Sequence, residues 1–170
     1  SILFALFFTA CSFKMPSMPS IKMPSFDMPF FSSKKDSLED ANICQNIENK
    51  QKKIECYEDI LDDNSYAQLR MGIYYADNKK FEKAFELLTL ANKNDNLYSN
   101  LALAFLYYKG DGVEQNLEKS FELLNQAKDI DPNAAYQLSR FYIQGISVDI
   151  DINKALELLK FAANKVMKIA

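Results

Sequence analysis

The sequence of 170 residues contains no histidine and no tryptophan, only 4 glycines, and no excess of positive charge. Because histidine is the side chain best suited to acid–base catalysis and metal ligation near neutral pH, its absence disfavours enzymes that depend on it. Four glycines are too few for turn-rich sandwiches and barrels, so the composition favours helices. A net charge of −3 gives no positive field for a phosphate backbone, and we expect no nucleic-acid partner.

An apolar run does occur over residues 1–10, and it ends directly at Cys11. The run is too short to span a bilayer as a helix but matches the apolar core of a signal peptide. Phe8-Thr9-Ala10-Cys11 resembles the lipobox of bacterial lipoproteins, in which two small residues precede an acylated cysteine. The resemblance implies a lipid anchor at Cys11 in a bacterial envelope. Ser12, directly after the cysteine, favours the outer membrane, with the protein facing the periplasm. The alternative is an unprocessed signal peptide or a buried helix with an incidental cysteine.

Residues 11–36 are rich in methionine, proline and serine, as in Met15-Pro16-Ser17 and Met28-Pro29-Phe30. Such regular prolines exclude helix interiors and sheet ladders, so we predict an extended, polyproline-like tether. The apolar side chains between the prolines leave two roles open. The tether either holds the following domain away from a membrane or also docks in a groove.

Two further cysteines, Cys44 and Cys56, lie within residues 37–63, where apolar residues recur at helical spacing. In one continuous helix they would lie about 18 Å apart along the axis, so a disulfide requires a turn near Asn49. A structural disulfide, two free thiols and a redox-active pair all remain open on spacing. The segment resembles a motif near the start of exported bacterial proteins, whose places are filled by Cys44, Ile47, Lys53, Ile54, Cys56 and Tyr57. The resemblance implies a disulfide-stapled helical hairpin, which we expect to cap the domain behind it.

One pattern recurs three times from Tyr66 onward: a large apolar residue, a small residue, and a tyrosine three places later. The three copies are Met71-Gly72 with Tyr75, Leu103-Ala104 with Tyr107, and Leu138-Ser139 with Tyr142. The pattern predicts paired helices, in which the small residue permits a close approach and the tyrosine fills the space beside it. Gly110 and Gly145 are expected at helix ends, and Asn116 and Asp151 at the caps of the next helices.

Residues 103–120 and 138–155 resemble Sel1-like repeats, whereas the first copy has the shorter spacing of a tetratricopeptide repeat. We therefore predict an all-α fold, an α-solenoid of antiparallel helical hairpins over residues 64–170, preceded by the extended Pro-rich segment. Both families imply a scaffold that binds protein partners. The expected binding face lies beside the packing tyrosines, although the same residues also fit interhelical core: Tyr74, Leu106, Tyr108, Phe141 and Ile143.

Anchor and repeats together predict a non-enzymatic scaffold in an envelope assembly for secretion, motility or wall construction. The alternatives are a peptidoglycan-binding module and, less favoured, a weak β-lactam hydrolase. The hydrolase is suggested by cysteine-rich Sel1-like proteins that are linked to binding penicillin-like compounds. Those proteins carry a cysteine pair in every repeat, whereas these repeats contain no cysteine. The acidic residues Asp62-Asp63 and Asp149 with Asp151 fit loops and helix caps better than a metal site. We predict no catalytic residue, metal site or cofactor.

Overall fold

A computed structural model of the chain describes residues 35–167, and the apolar run, Cys11 and most of the predicted tether lie outside that range. The described residues form eight helices and no strand. The helices are α1 (Lys35–Gln45), α2 (Lys50–Asp59), α3 (Ser65–Asp77), α4 (Phe81–Lys93), α5 (Ser99–Lys109), α6 (Leu117–Ala127), α7 (Pro132–Gln144) and α8 (Ile152–Met167).

Six of these helices pair consecutively into three hairpins: α3 with α4, α5 with α6, and α7 with α8. The second helix of one hairpin packs on the first helix of the next, so α4 lies against α5 and α6 lies against α7. Contacts between consecutive elements dominate, which is the arrangement of a solenoid. The predicted all-α solenoid of helical hairpins is therefore confirmed.

Small residues set the distance between the two helices of a hairpin. A Cβ atom added to Gly72 would lie 2.7 Å from Cγ of Leu88, which is fully buried on α4. In the second hairpin, the Ser120 hydroxyl on α6 donates a hydrogen bond of 2.8 Å to the carbonyl of Ala104 on α5. A larger side chain at these places would push the helices apart.

Aromatic pairs join successive hairpins. The rings of Phe85 on α4 and Tyr107 on α5 meet edge to face with centroids 5.5 Å apart. Phe121 on α6 and Tyr142 on α7 repeat the contact at 5.7 Å. Edge-to-face pairs contribute about 0.5–1.5 kcal/mol beyond the area they bury, so each pair fastens one hairpin to the next.

Buried amides reinforce the first two hairpins and the junction between them. Asn100 on α5 is fully buried; it accepts a hydrogen bond from the Asn92 side chain and donates one of 3.0 Å to Gln126. Gln68 on α3 is also fully buried and accepts a hydrogen bond of 3.0 Å from Asn94. Because an unpaired buried amide is costly, the bond between Asn92 and Asn100 favours one arrangement of the junction, and the other two bonds favour one arrangement within each hairpin.

The repeat helices end at glycines and begin at capping side chains, at the positions that the sequence predicts. Gly110 and Gly145 adopt left-handed backbone conformations, with φ of 76° and 66°, at the ends of α5 and α7. Asn116 caps α6 by accepting a hydrogen bond of 2.8 Å from the Lys119 amide. Asp151 accepts one of 2.9 Å at the start of α8. These four predicted positions are confirmed.

The helices α1 and α2 form a shorter hairpin at one end of the stack. A disulfide joins Cys44 to Cys56 with 5.5 Å between their Cα atoms, and Asn49 caps α2 in the turn between them. The Tyr57 hydroxyl on α2 donates a hydrogen bond of 2.8 Å to the Gln45 side chain on α1. Both helices contact α3, so this stapled hairpin covers the first repeat.

A comparison of two glycines tests how tightly the hairpins approach. We expect Gly110→Ala to lower the free energy of unfolding by about 1 kcal/mol, because a left-handed backbone disfavours a Cβ atom. The nearest atom would lie 3.3 Å from the new Cβ, so close packing adds little to this loss. Gly112 has the same conformation, but its Cβ would lie 2.4 Å from the backbone of Phe81 in the preceding hairpin. Gly112→Ala should therefore cost about 2–4 kcal/mol in urea unfolding. If Gly110→Ala and Gly112→Ala lost the same stability, the close approach of Gly112 to the Phe81 backbone would be contradicted.

Removing the disulfide should loosen the stapled hairpin. In a chain carrying Cys11→Ser, we expect the double variant Cys44→Ser/Cys56→Ser to lose about 3 kcal/mol, because the closed loop no longer restricts the unfolded state. Hydrogen exchange should localise the loss to α1 and α2. Reductant should lower the melting temperature of the Cys11→Ser chain but leave that of the triple variant unchanged; an effect on both would contradict the assignment.

The N-cap of α7 should make stability depend on pH. Burial raises the pKa of the Asp131 carboxyl above its usual value, against the opposing effect of hydrogen bonds from Asn133 and Ala134. A raised pKa in the folded state gives stability at low pH that is lost as the pH rises through that pKa. Asp131→Asn keeps the cap without this loss. Urea unfolding should show the variant gaining stability relative to the native chain between about pH 3 and pH 7. A difference independent of pH would argue against it.

Candidate functional site

The candidate site is a row of side chains on the first helix of each hairpin, here called the outer face. Its members lie six places before, two before and one after the small packing residue, so they follow the i, i+4, i+7 spacing of one helix side. They are Tyr66, Arg70 and Ile73 on α3, Tyr98, Ala102 and Phe105 at α5, and Asn133, Gln137 and Arg140 on α7.

The outer face consists of the side of each first helix that does not pack against the second helix. On α3, Met71, Gly72 and Tyr75 are buried, whereas Arg70 and Ile73 stay half-exposed. With about 100° between successive residues, positions 70 and 73 fall on the side of the helix turned away from Tyr75. On α5 and α7 the apolar and small packing residues are again buried, while the tyrosines are half-buried. The outer-face residues of these two helices are half-exposed, except that Asn133 is exposed.

Two tyrosine hydroxyls near the starts of the first helices have raised pKa values. Burial is the largest cause that raises the pKa of the Tyr98 hydroxyl, and the nearby Tyr66 and Asp131 raise it further. Tyr66 itself has a pKa raised by burial. The starts of α3, α5 and α7 therefore place two phenols and a carboxylate along one edge of the stack.

The composition of the outer face changes along the stack. The α3 and α5 part combines aromatic and aliphatic groups with Arg70, whereas α7 contributes polar groups, with Arg140 donating a hydrogen bond of 3.2 Å to Gln137. Aromatic residues and arginine are the types enriched at protein interfaces and among their energetic hot spots. The row can bind an extended or helical segment of another protein; it holds no evident group for a chemical reaction.

Two residues of the expected binding face are instead part of the core. Leu106 is 3% exposed and Phe141 is 4% exposed. The Phe141 ring packs against Tyr108 at 5.8 Å and Phe121 at 6.1 Å between centroids, which places it between hairpins. We therefore correct the expected face by removing Leu106 and Phe141, because interhelical packing covers both.

The other three expected residues do not form one surface. Tyr74 is half-buried, with the Lys50 ammonium 5.4 Å from its ring centroid, and so lies beside the stapled hairpin. Tyr108 is half-buried against Phe141. Ile143 is 44% exposed on α7. The positions beside the tyrosines did not predict the outer face; the spacing from the small residue is the sequence signal that identifies it.

Within residues 35–167, no three histidine, cysteine, aspartate or glutamate side chains come together as metal ligands. No helix among those eight has both the length and the apolar character to cross a bilayer. The outer face is thus the candidate functional surface of the described residues, and the third hairpin also exposes apolar residues.

Comparison with known proteins matches all three hairpins to one family. The family model for the Sel1 repeat matches residues 65–96, 97–130 and 132–165. These segments correspond to α3 with α4, α5 with α6, and α7 with α8. The match includes the first hairpin, whose shorter spacing indicated a tetratricopeptide type.

Two solved structures are similar to this chain. One is a Sel1 repeat protein from Oxalobacter formigenes, 27% identical with a TM-score of 0.62; the match covers 75% of this chain and 40% of that one. The other is a protective antigen present in uropathogenic Escherichia coli strains and displaying an SLR fold, 17% identical with a TM-score of 0.60; the match covers 79% and 35%. At 17% identity, the similarity to the second structure is evidence for the fold alone. The chain spans two fifths or less of either structure.

Proposed function

The chain belongs to the Sel1 repeat family, whose repeats generally mediate interactions between proteins, and we propose that it is a scaffold that binds a partner along its outer face. The observation that carries the proposal is the row itself: half-exposed or exposed side chains at the same three places of successive hairpins. A row continued over several hairpins offers a longer contact than one helix can provide.

The side chains indicate what the partner presents. Ile73 and Phe105 give apolar contact area, and Tyr66 adds a ring with a hydroxyl at one end. Arg70 supplies a guanidinium that can bind a carboxylate through two parallel hydrogen bonds. The favoured partner is therefore a segment with apolar side chains and at least one acidic residue.

We further propose that the protein acts at a bacterial envelope, held by acylated Cys11 and the Met/Pro/Ser-rich tether. The disulfide between Cys44 and Cys56 supports this location, because such bonds form and persist in oxidising compartments. The apolar run that ends at Cys11 is a second, independent argument. At this place the scaffold would serve a secretion, motility or wall-building assembly.

Charge on the outer face should abolish partner binding. We expect the double variant Ile73→Lys/Phe105→Lys to recover at least about tenfold less partner in affinity capture from detergent extracts of the producing cells, a loss of about 1.4 kcal/mol or more. Lysine suits half-exposed sites because its stem can remain packed while its ammonium reaches water. The matched control is Leu90→Lys on α4, where the leucine is 39% exposed outside the row.

The outcomes separate the parts of the proposal. Recovery of the native chain without any partner would refute a scaffold, and equal recovery with the double variant would refute the outer face. Cys11→Ser should move the protein from the membrane to the soluble fraction while partner binding persists; an unchanged membrane fraction would refute the anchor. Co-sedimentation with purified sacculi, unaffected by the double variant, would favour wall binding instead.

A further inference from the structure

The turns that lead into the three first helices combine apolar and acidic side chains. They are residues 60–66, 94–98 and 128–133, here called the loop edge. Two aliphatic residues of the loop edge are well exposed, Leu97 at 42% and Ile130 at 37%. Tyr66 and Tyr98 beside them are half-buried. Exposed apolar groups that polar residues surround are typical of a contact surface.

Negative charge surrounds these apolar side chains. The loop edge contains five aspartates: Asp62, Asp63, Asp95, Asp129 and Asp131. The basic residues nearby are Lys128, which pairs with Asp129 at 3.5 Å, and Lys93, directly before the second turn. Asp62 and Asp63 are exposed and form no ion pair with any other described residue. The loop edge is therefore both apolar and negatively charged.

Buried amides hold the first two turns of the loop edge together. The Gln68 side chain donates a hydrogen bond of 2.9 Å to the carbonyl of Leu61 in the first turn and accepts one of 3.0 Å from Asn94 in the second. Asn96 in the second turn donates one of 3.1 Å to the carbonyl of Ser65. Both turns are thus fixed before a partner arrives, which lowers the entropic cost of binding.

The third turn lies along the same side of the stack. Asn100, at the start of α5, donates a hydrogen bond of 3.0 Å to Gln126, one residue before the end of α6. The third turn begins two residues later, at Lys128, and so follows directly from this contact. Acidic and apolar groups of all three turns are therefore available to one partner segment.

One buried acceptor of the second turn has no hydrogen-bond donor. Asn96 is 5% exposed, and its side-chain oxygen accepts no bond from any residue that the structure describes. Asn96 directly precedes Leu97 and is bonded to Ser65, the residue before Tyr66, so this oxygen lies within the loop edge. An unpaired buried acceptor is costly. The loop edge thus has carboxylate and amide acceptors and lacks donors, which are the groups that lysine and arginine supply.

We infer that the partner segment carries a lysine or arginine that binds the aspartates of the loop edge, beside an apolar side chain seated against Leu97 and Tyr66. The inference rests on the proposed scaffold function and specifies its partner further, because Tyr66 and Tyr98 belong to both the outer face and the loop edge. Arg70 lies one turn further along α3 than Tyr66. The segment therefore presents a cation at the helix starts and an acid beyond it, and repulsion disfavours the opposite order.

Selection of peptides tests this chemistry without knowledge of the partner. Short random peptides displayed on phage are selected on the immobilised full chain, then synthesised and titrated by calorimetry. We expect them to combine lysine or arginine with aromatic or aliphatic residues. Asp62→Asn/Asp63→Asn should weaken their binding at least about threefold, because it removes negative charge and keeps side-chain shape.

The matched control is Glu86→Gln/Glu157→Gln, which removes the same charge from exposed positions on α4 and α8 and should leave binding unchanged. The melting temperatures of both variants check that the fold persists. Raising the salt concentration from about 0.05 M to about 0.5 M should weaken binding to the native chain more than to Asp62→Asn/Asp63→Asn, because salt screens exposed charges. Peptides without an excess of basic residues, or equal binding by this variant, would overturn the inference.

Further outcomes separate the loop edge from the proposed function. Peptides that lose binding to Ile73→Lys/Phe105→Lys but not to Asp62→Asn/Asp63→Asn would leave the outer face standing and rule out the loop edge. Where no peptide is selected, the partner captured from detergent extracts is the probe, and its equal recovery by Asp62→Asn/Asp63→Asn would count against the loop edge alone. Capture of no partner by the native chain would refute the scaffold itself.

Two outcomes would assign the loop edge to an occupant other than a partner protein. If Lys14→Glu/Lys22→Glu in the tether made the full chain bind the peptides more tightly, the occupant would be the chain's own basic tether. Self-association of the native chain that Asp62→Asn/Asp63→Asn abolishes, measured by sedimentation, would assign the loop edge to a second copy. Either result would overturn the partner segment.

Discussion

The stack depends on how closely the two helices of each hairpin approach one another. Gly72 leaves no room for even a Cβ beside Leu88, and Ala104 is close enough for its carbonyl to accept a hydrogen bond from Ser120. This approach buries one side of each first helix and fixes where the tyrosine three places later lies. The tyrosines of the second and third hairpins then meet the phenylalanine of the preceding hairpin. In the second and third hairpins, a single small residue therefore orders both the hairpin and its junction with the preceding one.

The aromatic pairs mainly add stability, whereas the buried amides mainly specify one arrangement of the helices. The edge-to-face rings contribute free energy without demanding an exact partner, because any well-placed ring or apolar group can fill the space. The buried amides are more selective, since a shifted junction would separate Asn100 from Asn92, and a shift within the first hairpin would separate Gln68 from Asn94. Both amides lie on the first two hairpins, whereas the third has Ala135 at the equivalent place. The junction toward α7 thus relies more on apolar contacts.

Sequence reasoning succeeded where the determining chemistry is local. Asn116 and Asp151 bond to amides three residues away, and Gly110 needs only its own backbone conformation, so spacing identifies all three. It failed for Leu106 and Phe141 because burial depends on which neighbouring helix covers a residue. Neighbours lie some thirty residues away in a repeat of this length, and helical periodicity within one element does not reveal them. The outer face was missed for the same reason.

The disulfide has a mechanical consequence. If the chain is held from its N-terminal side, tension enters the folded part through α1. The bond between Cys44 and Cys56 provides a covalent route from α1 directly to α2, so the force bypasses the turn at Asn49. The hydrogen bond between Tyr57 and Gln45 is relieved of that force as well. Pulling would then act on the packing of the whole stapled hairpin, α1 and α2 together, against α3.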